Sequence, residues 1–145
     1  MQTGDARHLS RERALEILYE SAMKGVAPSE ALGALPTRPD PFVVELVENA
    51  ERAKDVAEAA IAVAAPDWPI ERLAVIDRLV MVLAIGEVLG AAPPPDAVIL
   101  DEAVELAKTY STDASPRFVN GVLAAVLPTL TRSATDAPTP TELDA

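Results

Sequence analysis

Residues 80–85 read Val-Met-Val-Leu-Ala-Ile, inside a longer apolar segment spanning 70–89. A helix that is apolar all round cannot lie on a surface and has to be enclosed by other helices. Leu73, Ile76, Leu79, Val80, Leu83, Ala84 and Val88 mark its successive turns. The rest of the chain must therefore supply neighbours for it.

Prolines show where those neighbours start and stop. Residues 36–41 hold three prolines and cannot continue a helix, and Pro66 with Pro69 makes a second break. Gly90 and Pro93-Pro94-Pro95 close the central segment. Between the breaks, Ala14, Leu15, Ile17, Leu18, Ala22 and Met23 predict a helix over 10–24, with Ser10 as its cap and Gly25 as its stop. A short helix is predicted over 29–35, and the longest one over 42–64. Two more occupy 98–127; Ser115 is placed to cap the second, and Pro116 sits at its first position. Pro128 is expected to end or kink it.

Gly121 lies inside that last helix, where glycine is about 1 kcal/mol worse than alanine. Close approach of another helix is the plain reason for such a residue. Residues 1–9 read as a flexible arm, 133–145 as a disordered tail of Thr, Pro, Asp and Ala, and 10–132 as one helical domain. No strand-like alternation of useful length occurs. Six or seven helices with short loops predict an all-α bundle.

Composition excludes several function classes. Half of the 145 residues are hydrophobic, yet one Trp, two Tyr and two Phe are the whole aromatic content, so small aliphatic side chains must build the interior. The formal charge of −11 argues against a nonspecific nucleic-acid binder. The absence of cysteine rules out disulfides and thiol chemistry. No signal peptide and no membrane-length apolar run is visible, so a cytoplasmic location is expected.

Catalytic patterns are missing too. His8 has no partner at a catalytic spacing and is expected to be solvated; no glycine-rich phosphate cradle occurs. Asp101, Glu102 and Glu105 suit the first turns of a helix better than a metal. Trp68, between two prolines, is assigned to packing. The expectation is a non-enzyme without metal, cofactor, small-molecule substrate or membrane partner.

Two motifs then stand out: Asp101-Glu-Ala-Val-Glu-Leu-Ala-Lys108, and Asp113-Ala-Ser-Pro-Arg-Phe-Val-Asn-Gly-Val-Leu123. Together they closely resemble the signature of the NusB transcription antitermination family. Trp68-Pro-Ile-Glu-Arg-Leu73 and Ala84-Ile-Gly-Glu87 resemble its central helix, and residues 6–19 resemble its N-terminal RNA-binding helix. The resemblance covers about residues 6–131. It implies a pair of small helical bundles packed across each other. It also implies pairing with NusE, a ribosomal small-subunit protein, binding of boxA-type RNA, and service to the transcription elongation complex.

Carried over by position, the resemblance assigns RNA contact to Arg7, Arg11, Ser115, Arg117 and Phe118, and NusE contact to Tyr19 and Glu87. Arginines can neutralise phosphates, an exposed aromatic can stack on an unpaired base, and the helix start near Ser115 can receive a phosphate. Alternatives remain for several. Phe118 could be core at helical spacing, Tyr19 a packed terminal aromatic, and Arg11 part of a solvated ion-paired face. Glu87 is expected to be exposed, because a buried charge without a partner is costly.

The first 24 residues balance to zero charge, and Val82 stands where many members place a basic residue. RNA binding is therefore expected to be weak alone and useful beside the basic partner. The competing expectation is a protein-binding adaptor of the transcription machinery with little RNA binding. A helical domain of the kind fused to RNA cytosine methyltransferases is a third.

Overall fold

The structure, a computed structural model, describes residues 4–136, with side chains from 5 to 130. Six α-helices make it up: α1 Gly4–Lys24, α2 Pro28–Gly33, α3 Pro41–Ala64, α4 Val75–Val88, α5 Asp96–Tyr110 and α6 Ser115–Asp136. No strand occurs among the described residues. Helices α1, α2 and α3 contact one another, as do α4, α5 and α6, and the most extensive interface joins α3 to α4. This is the expected pair of helical units.

Helix α4 is the enclosed element. Every residue from Leu79 to Val88 is buried, and α1, α3, α5 and α6 all touch it. Gly86 sets its distance from α3. A Cβ there would lie 2.9 Å from the backbone N and Cα of Ala50, so only glycine permits this approach. Gly121, expected to serve such an approach, does not do so. It is exposed, and a Cβ there would meet nothing within 4 Å.

Local chemistry explains most boundaries. Gly25, at φ +68°, ends α1 in a left-handed turn, with Val26 N–H donating to Ser21 and Gly25 N–H to Ala22. Asp40 caps α3 by accepting from Phe42 N–H at 2.9 Å, with Pro41 at the first helical position.

Three boundaries depart from expectation. Helix α1 begins at Gly4, so residues 4–9, placed in the flexible arm, are helical; Ser10 lies within the helix, its hydroxyl donating to the Ala6 carbonyl at 3.1 Å. Residues 1–3 lie outside the described part. The predicted helix over 70–89 is split, since a single 3₁₀ turn, Ile70–Arg72, precedes α4. Helix α6 passes through Pro128 to Asp136. The carbonyl it leaves without a helical donor is that of Ala124, which is itself an exposed residue. The helix thus overruns the first residues of the predicted tail; 137–145 lie outside the described part.

Candidate nucleic-acid and partner interface

The first half of α1 is held down by a polar cluster. Arg11 reaches across to α4, donating from Nε to Glu87 Oε1 at 2.9 Å and from Nη2 to Oε2 at 2.6 Å. This fork is buried, with side-chain exposures of 4% and 6%. Glu102 of α5 stands 3.8 Å from the third guanidinium nitrogen, Nη1. Burial opposes the Arg11 charge, but the hydrogen bonds and charge of Glu87, with Glu102 beyond, hold the group above its ordinary range.

His8 extends the same cluster. Its Nδ1 lies 2.6 Å from Glu102 and its Nε2 lies 2.9 Å from Glu12. The hydrogen bond to Glu102 raises its pKa most, against a partial loss of hydration, and the charge of Glu12 adds to the effect. Tyr110, at the end of α5, donates to Glu12 at 3.1 Å; slight burial first, and then that carboxylate, raise its pKa.

These contacts correct three expectations. Glu87 is buried, since Arg11, 76 residues away in sequence, supplies the partner that offsets the cost of burying its charge. Arg11 offers no free guanidinium, because its fork is occupied by that carboxylate. His8 is not a lone surface residue: it is half-buried between the carboxylates of Glu12 and Glu102. Arg7 is different: it is exposed, with its guanidinium carbon 4.9 Å from the centroid of the Phe42 ring. Arg11 approaches the same ring at 5.6 Å. Tyr19 is 42% exposed on α1, and Val82 is buried.

The start of α6 is built in another way. Ser115 is 1% exposed; its hydroxyl accepts from Thr112 N–H at 3.1 Å, shares a hydrogen with Thr112 Oγ1 and donates to Ser111 Oγ at 3.0 Å. Its backbone N–H donates to the Thr112 carbonyl. The hydroxyl therefore ties the α5–α6 turn together, and does not face outward as an RNA contact would. Ser111 in turn donates to the buried Asp77 at 2.6 Å.

Past this knot Arg117 turns outward, followed by Phe118. Phe118 is half-buried against the core and meets Trp68 edge to face, with ring centroids 6.2 Å apart at 67°. Trp68 itself is 55% exposed. Phe118 thus packs on one side, as the core reading expects, and lines the surface on the other. Trp68 is a feature that sequence reasoning assigned to packing alone. Its position between prolines, which keep it off any helix face, was the available signal.

The α5–α6 turn thus presents a polar and aromatic surface on an all-helical scaffold. The NusB family profile matches residues 8–128. The chain is 38% identical over 125 residues to the transcription antitermination protein NusB of Kineococcus radiotolerans, covering 83% of this chain and 92% of that one. It is 41% identical over 128 residues to the same protein of Streptomyces griseus, covering 82% and 90%. The fold superimposes on T. maritima NusB with a TM-score of 0.75 at 28% identity, covering 88% and 93%.

The chain belongs to the NusB family and is a non-enzymatic transcription antitermination factor. No helix of the described residues is long and apolar enough to cross a membrane.

Proposed function

We propose that this factor acts in the cytoplasm by pairing with NusE and, as a pair, binding boxA-type single-stranded RNA in the transcription elongation complex. The observation that carries the RNA reading is the start of α6, where exposed Arg117 adjoins Phe118 and Trp68. An aromatic pair beside a cation is the combination that grips unpaired nucleotides, by stacking and by phosphate contact. Arg7 extends the RNA surface, and Arg11 and Ser115 act behind it by positioning α1 and the α5–α6 turn. Tyr19 contacts NusE, and buried Glu87 supports that surface through its hold on Arg11.

A second reading, an adaptor with little RNA binding, is favoured by the occupied fork of Arg11 and by the charge of −11. Labelled boxA-type RNA, titrated with the full chain alone and with NusE, separates the two. The pair should prefer boxA-type over scrambled RNA at moderate salt. Equal affinity for both RNAs leaves the adaptor reading.

A further inference from the structure

Helices α1 and α5 belong to different halves of the fold and share no extensive packing. What spans the gap between them is polar. Tyr110, at the end of α5, donates to Glu12 of α1. Nearer the start of α1, His8 stands between Glu12 and Glu102 of α5, its ring nitrogens 2.9 Å and 2.6 Å from their oxygens. The charge on that ring decides what the arrangement can hold. A neutral imidazole has one N–H and one lone pair, whereas the imidazolium donates from both nitrogens. With both nitrogens facing carboxylates, the neutral ring keeps one bond and turns a lone pair on the other carboxylate. Neither nearby arginine fills that gap. Arg11 is committed to Glu87 of α4, with its Nη1 still 3.8 Å from Glu102, and Arg7 lies over Phe42 of α3. Glu12 and Glu102 are then left facing each other across the two helices without a cation between them.

We propose that His8 is a proton-operated clasp between the two halves of the fold: as imidazolium it ties α1 to α5 through Glu12 and Glu102, and on losing its proton it frees the first two turns of α1. The opening stops at residue 11. From there onward the buried Arg11–Glu87 fork and the Tyr110–Glu12 bond hold α1 whatever the charge of the ring. Ahead of residue 11 less is enclosed: Asp5, Arg7 and Leu9 are exposed, and the Arg7–Phe42 contact lies at the surface. Segments with few buried contacts are the first to open. The hydrogen bond to Glu102, against partial dehydration, and then the charge of both carboxylates hold the ring's pKa above 6.5, so release falls on the alkaline side of that value. Arg7 belongs to the released segment, so the proton also sets where that cation stands.

His8 is the chain's one histidine, so its titration is read without overlap. A carbon-detected NMR titration of the full chain from pH 5.5 to 9 follows the imidazole and the Cα shifts of α1 together. The ring is expected to titrate with a midpoint above 6.5, and the helical shifts of residues 5–10 should shrink with the same midpoint while those of 12–20 hold. Glu102→Gln should bring the ring's midpoint down towards 6.5. His8→Arg, a cation that does not titrate in this range, should keep residues 5–10 helical at pH 9. A midpoint at or below 6.5 overturns the clasp, as do helical shifts that stay constant while the ring titrates. Loss of helicity at pH 9 in His8→Arg as large as in the unchanged chain assigns the opening to another group and overturns it too.

Discussion

Arg11 and Arg117 occupy opposite states in this fold. Arg11 is enclosed between α1 and α4, with both edges of a carboxylate on its fork. Arg117 stands exposed at the start of α6, beside an aromatic pair. The family resemblance gives them the same task, yet their surroundings do not. A guanidinium held by a buried bidentate carboxylate fixes helix position and has no donors to give up without leaving that carboxylate stranded. A guanidinium in water can exchange counterions for phosphate. Resemblance by position therefore transfers a residue type more safely than it transfers a role.

Substitutions probe this contrast from both sides. Glu87→Ala should lower stability by about 3–5 kcal/mol in denaturant unfolding, since it leaves Arg11 charged and buried. The paired change Arg11→Met with Glu87→Leu should recover most of that. A loss below about 1 kcal/mol for Glu87→Ala would place Arg11 in the same solvated class as Arg117.

The glycines make the same contrast by size. Gly86→Ala drives a methyl into the α3 backbone and should cost about 1–3 kcal/mol. Gly121→Ala meets open space and should stabilise by up to about 1 kcal/mol. Thermal melts of the two variants should shift in opposite directions.

The smallest effect belongs to His8. Its raised pKa means that the folded state binds the proton more tightly than the unfolded chain does. The contribution is full below the unfolded value of about 6.5 and is lost as pH rises through the higher folded value. His8→Ala should thus cost at most about 1 kcal/mol at pH 5.5 and almost nothing at pH 9, read from unfolding at both pH values.

Periodicity and proline placement made the helices legible, because each stripe of apolar residues obeys a local rule. The enclosed α4 followed from its composition alone. What stayed hidden was long-range. Residues 4–9 carry polar side chains that look like a frayed arm; their partners, Glu102 and Phe42, lie on helices far along the chain. The cost of burying Glu87 was reasoned correctly, but the answer, Arg11, was 76 residues away. Glycines at 86 and 121 look alike in sequence, and only the neighbouring helix distinguishes them. At the candidate site, Arg117 and Phe118 were legible by motif, while Trp68 became visible only once folding placed it on Phe118.

In the proposed function Arg11 positions α1, and the start of α6 recognises RNA. The salt dependence of boxA-type RNA binding by the full chain with NusE separates these two roles. Removing one phosphate-neutralising cation should reduce the slope of log affinity against log salt by about 0.7 for a single strand. Arg117→Ala is expected to lower the slope by that amount, whereas Arg11→Met with Glu87→Leu should leave the slope unchanged. A slope that falls with the paired change and holds with Arg117→Ala would contradict this division of roles.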